Sequence, residues 1–382
     1  MGRPKKLVVT PLFTDKEMKS REGTWIEESD IVYPVIQSNT DVYRLDEEGN
    51  EVLLLKFRKN HISNTLIHIG WDSYRDLAKA SRGRGASAGP IDATSDYWKK
   101  RNLVGSKKWS TGYLNPGGNL LKTQYDAYTE EELREACQVN DIPYGEDRES
   151  LIMCLVQKGG GVSKMKVNNQ VASNPIGFYE AGKNFADLPC RLTHFTRTNY
   201  DKYNKGLPFI QKIDSLFKLL VPDAHQKQWN RAGLKPHLKI PDTSFSTVTI
   251  NRNFRTALHR DAGDFKEGFG NLTVIEQGVY HGGYTTFPQY GIGIDLRSND
   301  FVAMDVHQWH ANTPLYETEE DKLTNSQITS DFKDNPVVGT AGLYTPYTRI
   351  SFVCYLREKI ASCPDSIDPR YLTKSGHGKI SA

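Results

Sequence analysis

Between Ser244 and Leu356 the sequence breaks into short apolar runs, each closed by turn residues. The runs are Ser246 to Ile250, Leu272 to Ile275, Gly291 to Leu296, Phe301 to Val306 and Arg349 to Leu356. Runs this short suit strands better than helices, and regularly spaced turns point to a β-sandwich or barrel of the jelly-roll type. A further strand is expected at Val52 to Phe57, after the polar turn Asp46 to Asn50. Helical spacing occurs elsewhere. Phe209, Ile210, Ile213, Leu216, Phe217 and Leu220 mark an amphipathic helix within residues 208–229, ended by Pro222.

Four residues beside the expected strands carry chemistry. His259 and Asp261 form an HxD pair, and in a strand positions i and i+2 share a face. A distal histidine then completes the two-histidine, one-carboxylate set that non-haem iron(II) oxygenases use. His310 and His307 compete for that place, both near the end of the Phe301 to Val306 run. Arg349 opens the last strong strand, where a guanidinium can clamp the distal carboxylate of 2-oxoglutarate in a bidentate pair. Arg255 is the alternative for that contact. Each residue alone has an ordinary structural explanation. The order HxD, histidine, arginine, with each beside a strand, favours a metal site with iron(II), 2-oxoglutarate and O2.

The segments around these residues resemble the TET/JBP family of nucleic-acid-modifying dioxygenases. His310 to Leu315 (HANTPL) and Thr348 to Tyr355 (TRISFVCY) resemble the TET pattern, while Asn253 to Asp264 and Gly270 to Thr273 are more JBP-like. The resemblance covers residues 244–357 strongly, and 54–115 and 173–232 more loosely. It implies an α+β protein with a double-stranded β-helix (jelly-roll) core, flanking helices and a small helical insertion. It also implies oxidation of the methyl group of 5-methylcytosine in DNA to 5-hydroxymethylcytosine or beyond, with JBP-like hydroxylation of thymine to 5-hydroxymethyluracil as the alternative. An oxygenase acting on RNA, protein or a small molecule, and a non-catalytic DNA-binding protein, remain open at this stage. A polar, acidic stretch from Glu317 to Asp334 reads as a loop beside the active-site mouth.

A base inside a duplex must be extruded for its methyl group to reach the iron, so DNA with a flipped pyrimidine is the expected partner. Arg82, Arg84, Lys99, Lys100, Arg101, Lys107 and Lys108 are the candidate phosphate contacts. Asp264 is placed to read the base; an ionised carboxylate accepts from the N4 amino group of cytosine, whereas thymine offers the acceptor O4 there. His307, if not a metal ligand, would stand on the substrate side.

The expected organisation is an N-terminal part of the catalytic domain over 1–115, an insertion over 116–174, the oxygenase core over 175–360 and a tail over 361–382. Within the insertion, Thr129 and Glu132 form a capping box, and residues 129–157 resemble a SAP-type helical module. Its many carboxylates, among them Glu130, Glu131, Glu132 and Glu135, oppose phosphate and favour a partner contact or a plain surface insertion.

Net charge is only +3, so a nucleic-acid role rests on local clusters rather than on the whole chain. No apolar run is long enough for a membrane helix. The five cysteines follow no framework spacing and are expected to be reduced thiols of an intracellular, DNA-associated protein, nuclear if the source is eukaryotic.

Overall fold

In chain order the principal strands are β1 (Lys5–Val9), β2 (Thr40–Leu45), β3 (Glu51–Arg58), β4 (Val171–Tyr179), β5 (Thr247–Arg252), β6 (Gly270–Gln277), β7 (Thr285–Phe287), β8 (Ile292–Ile294), β9 (Phe301–Met304), β10 (Ala311–Asn312) and β11 (Thr348–Tyr355). The computed structural model describes residues 3–77, 80–81, 84–89, 114–116, 128–139, 144–157, 160–162, 171–181, 189–328 and 347–367. A large sheet runs in the order β1-β2-β3-β9-β6-β11-β5-β4, and a small one runs β8-β7-β10. Within the large sheet only β1 and β2 pair in parallel.

From β5 onward the chain passes back and forth between the sheets. After β5 it crosses to a bridge at His259 beside β10, returns to β6, crosses to β7 and β8, returns to β9, crosses to β10 and ends in β11. That winding is the double-stranded β-helix. Strand β4 runs through the boundary expected at residue 174, and β1 to β3 extend the same large sheet.

Side-chain alternation on β11 shows how the sequence sorts the two faces. Ile350, Phe352 and Cys354 point into the helix-covered core. Arg349, Ser351, Val353 and Tyr355 point into a cavity between the sheets. β5 does the same, with Val248 and Ile250 in the core and Thr249 and Asn251 on the cavity side. Both faces are buried, yet hydropathy alternates along β5 and the first half of β11 because the cavity side takes polar residues.

The principal helices are α1 (Asn64–Tyr74), α2 (Glu130–Val139), α3 (Arg148–Gln157), α4 (Tyr200–Leu220), α5 (Pro222–Gly233) and α6 (Glu319–Asn325). Helices α1 and α4 cover the outer face of the large sheet. Phe209 meets Phe352 edge-on at 4.9 Å between ring centroids. The amphipathic helix ends before Pro222 as expected, but it begins ahead of residue 208. α4 starts at Tyr200 and runs through Pro208, held by the buried Tyr203, Gly206 and Leu207. Pro222 then opens α5, where a proline loses no helical hydrogen bond. The expected loop after Glu317 contains α6, which opens with a capping box between Thr318 and Asp321.

α2 and α3 form a hairpin around Leu133, Ala136, Cys137, Leu151, Ile152 and Leu155. The Thr129 capping box is present, with Glu132 N–H donating to Thr129 Oγ1 at 3.3 Å. The reading of all five cysteines as free thiols needs correction. Cys190 and Cys363 are joined in a disulfide, brought together by the fold across 173 residues of sequence, and Cys137, Cys154 and Cys354 are free. No helix among the described residues is long and apolar enough to cross a membrane.

Gly206 lets α4 approach α1. A Cβ there would lie 2.2 Å from Cζ of Tyr74, whose hydroxyl donates to the Tyr203 carbonyl at 3.0 Å. Gly206→Ala should therefore cost about 1–3 kcal/mol by overpacking. Gly233→Ala, with nothing within 4 Å of the new methyl, should not destabilise the fold. Urea unfolding of the two variants checks this.

Candidate active site

His259 and His310 face each other across a two-residue antiparallel bridge. Each backbone N–H donates to the other's carbonyl, both at 3.0 Å. The HxD pair thus lies on an extended segment after β5 rather than inside a regular strand. Asp261 is fixed two residues on, its N–H donating to Val306 O at 3.1 Å.

The ring nitrogens are sorted by their neighbours. Nδ1 of His259 lies 2.7 Å from Ala257 O, and Nδ1 of His310 lies 2.9 Å from Gln308 O. A carbonyl can only accept, so each Nδ1 carries the proton and each Nε2 presents a lone pair. Both Nε2 atoms lie 3.7 Å from Asp261 carboxylate oxygens. The three ligand atoms all fall within 4.8 Å of one another. Burial, helped by the adjacent His259, pushes the His310 pKa down to about 4. Its imidazole is neutral near pH 7, the form that ligates a metal.

The three side chains line a cavity of about 260 Å³ whose floor is the inner face of β5 and β11. Arg349 stands at one end. It is 4% exposed, and its Nε and one terminal nitrogen meet no acceptor among the described residues. Its backbone N–H is held by Asn253 Oδ1 at 2.7 Å. A buried guanidinium with unused donors is costly unless an anion completes it. The donor sets fit an iron(II) ion held by His259, Asp261 and His310, with the distal carboxylate of 2-oxoglutarate on Arg349.

Six residues further along β11, about 20 Å at strand rise, the cavity changes character. Tyr355, Arg357, Asp264 and Arg84 gather there. Glu180 grips Arg357 with both carboxylate oxygens, one at 2.6 Å, and Tyr179 lies under the guanidinium. Asp264 forms a backbone bridge with Arg357, and its Oδ2 is sealed from solvent with no partner among the described residues. Burial, and then the charge of Asp261, hold its carboxyl well above the usual carboxylate range, against the pull of Arg357.

Among the other expected site residues, Arg84 reaches the cavity and two do not. Arg255 turns away: it donates to Ile26 O and to Glu27, both at 2.6 Å, and stacks over Trp25. It is spent on holding the N-terminal segment and does not line the cavity. His307 packs with Nε2 at 3.3 Å from Phe265 O, also outside the cavity. Arg82, Lys99, Lys100, Arg101, Lys107 and Lys108 lie outside the described residues. Asn251, Ser351 and Tyr355 also line the cavity, and their period-two spacing on β5 and β11 was a usable signal that went unread; Arg357, also in the lining, lies just past β11.

A double-stranded β-helix with this donor set is the architecture of the iron(II)- and 2-oxoglutarate-dependent oxygenases. Residues 174–358 match the model of the Tet_JBP family, the oxygenase domain of the 2OGFeDO superfamily, and that segment is a Tet_JBP oxygenase domain. Among curated proteins, the bifunctional helicase and thymine dioxygenase JBP2 of Leishmania braziliensis is 29% identical over 187 residues, 49% of this chain and 14% of that one. The thymine dioxygenase JBP1 of Trypanosoma brucei brucei is 30% identical over 190 residues, 50% and 21% of the two chains. JBP2 of Trypanosoma brucei brucei is 32% identical over 280 residues, 70% of this chain and 23% of that one. The matched region is thus less than a quarter of each of these relatives. A solved structure of NgTET1 in complex with 5mC DNA aligns with a TM-score of 0.42 and 8% identity, over 92% of this chain and 94% of that one.

If His310 is the third ligand, His310→Ala should weaken Mn(II) binding by at least about tenfold, while His307→Ala leaves it unchanged. Calorimetric metal titration of the two variants decides between them.

Proposed function

We propose that this chain oxidises the C5 methyl group of a pyrimidine in DNA, using iron(II), 2-oxoglutarate and O2. The observation that carries the reading is the cavity's polarity: a buried, unsatisfied arginine at one end, a His-Asp-His set along its wall, and an acidic hydrogen-bonding group at the other end. Bound there, iron(II) with 2-oxoglutarate and O2 supplies an oxidant for an unactivated C–H bond. The protein's own residues do the rest. Arg349 anchors the co-substrate, the Nδ1 contacts keep both imidazoles aimed, and the Asp264 end receives the base after it leaves the stack. Arg84 at that end suits a phosphate of the flipped nucleotide.

Thymine is the first reading of the base, because the curated relatives named above are thymine dioxygenases. Asp264 is compatible with it. If Asp264 is protonated, its carboxyl can donate to O4 of thymine, as a buried carboxylic acid does in other active sites. The second reading is 5-methylcytosine, favoured if Asp264 is ionised and accepts from N4.

Mass spectrometry of nucleosides from thymine-containing and 5-methylcytosine-containing DNA, after incubation with iron(II) and 2-oxoglutarate, tests the proposal. Hydroxymethylated thymine is the expected product, an oxidised 5-methylcytosine supports the second reading, and no modified base from either DNA removes both. Asp264→Ala should reduce oxidation of the preferred base by about 1–3 kcal/mol in transition-state terms. Arg349→Ala should raise the concentration of 2-oxoglutarate needed by about ten- to a hundredfold, with the DNA requirement unchanged.

A further inference from the structure

The residues that alternate with the two bridged histidines face away from the cavity. In extended backbone neighbouring side chains point to opposite faces. Leu258, Arg260 and Trp309 therefore lie behind the site, and none of the three lines the cavity. What covers them is the N-terminal segment, which lies outside the matched residues 174–358. A short helix, Asp15–Ser20, opens with a capping box between Thr14 and Glu17 and buries Met18. Met18 and Ile26 pack with Leu258 and Trp309 in a cluster of their own. Gly23 N–H donates to Leu258 O at 2.8 Å, and Leu258 N–H donates to Thr24 O at 2.9 Å. Asp15 joins the two sides. Its Oδ1 accepts from Arg260 Nη1 and from Trp309 Nε1, both at 2.8 Å, across 245 and 294 residues of sequence. The Arg260 guanidinium also lies over the Trp309 ring, 4.2 Å from its centroid. The pair of Asp15 and Arg260 is exposed, with side chains at 61% and 38%, and contributes little by itself in water. The indole bond is different. Trp309 is 1% exposed, its N–H can only donate, and a buried donor left without an acceptor is costly.

We propose that Asp15 is a positioning residue for the metal site: one carboxylate oxygen ties together, from behind, the two chain segments that carry His259 and His310. Arg260 sits between His259 and Asp261, and Trp309 directly precedes His310, so a single acceptor fixes the spacing of both segments. Asp15 acts on the ligands only through Trp309 and Arg260. The inference rests on His259, Asp261 and His310 being the metal ligands.

The test is hydrogen exchange of the metal-free full chain, read amide by amide. The His259 and His310 N–H groups bond across the bridge and report its opening directly. Asp15→Ala should speed exchange of these two amides by roughly tenfold, the loss of one hydrogen bond to a charged group. The amides of β11 should be unchanged. Mn(II) binding by the same variant, followed by calorimetric titration, should weaken by roughly three- to tenfold, less than for removal of a group that touches a ligand. Asp15→Asn, which keeps an acceptor for the indole, should restore most of both. In a Trp309→Phe background, Asp15→Ala should add at most about twofold, because residues acting through one contact are not additive. Unchanged exchange at His259 and His310, a rise confined to residues 14–26, or an equal rise in β11 overturns the proposal, and so do additive losses with Trp309→Phe. Failure of the unsubstituted protein to bind Mn(II) would instead remove the metal reading itself, and the exchange result would still decide whether Asp15 holds the bridge.

Discussion

The reciprocal backbone bond between His259 and His310 is the constraint on which the site depends. Two N–H groups and two carbonyls satisfy one another at the seam of the small sheet. The pairing holds two residues 51 positions apart with their rings 4.3 Å apart by centroid. Once it forms, Asp261 follows within two residues, and the Nδ1 contacts to Ala257 and Gln308 leave both Nε2 atoms free to converge. The candidate ligand set is thus positioned mostly by main chain, which holds its geometry more firmly than flexible side chains would.

The large sheet supplies the second half of the arrangement. Because β5 and β11 are covered on one side by helices and open on the other to the cavity, every second residue is free to be polar. Arg349, Ser351, Tyr355 and Asn251 occupy those positions. The helices α1 and α4 press Phe209 and Tyr74 against Phe352 on the reverse side. Cavity chemistry and core packing therefore share single strands, and a substitution on one face is felt on the other.

Much of this was legible in the sequence, for physical reasons that differ by residue. His259, Asp261, His310 and Arg349 stood out because the chemistry needs those types in that order, and the strands around them are short and well punctuated. Arg255 was less tractable. Its nearest opposite charge, Glu27, is 228 residues away in sequence, and only the fold reveals that it is already paired. The choice between His307 and His310 depends on the bridge to His259, another tertiary fact. Pro208 lies inside α4, where its one lost hydrogen bond is offset by burial of Tyr203, Gly206 and Leu207 in the turn before it, and that packing is a tertiary fact. The capping box at Thr318 and Asp321 was a readable signal for α6, masked by the acidic composition around it. No spacing rule reaches from Cys190 to Cys363.

The central claim is that one cavity holds a metal on His259, Asp261 and His310 and a dicarboxylate on Arg349. A crystal structure of the chain with Mn(II) and N-oxalylglycine measures it directly. The account predicts a single metal bonded to Nε2 of both histidines and to the Asp261 carboxylate, chelated by the analogue, whose far carboxylate lies on the Arg349 guanidinium. A metal bound elsewhere, or an analogue whose far carboxylate does not meet Arg349, would contradict it.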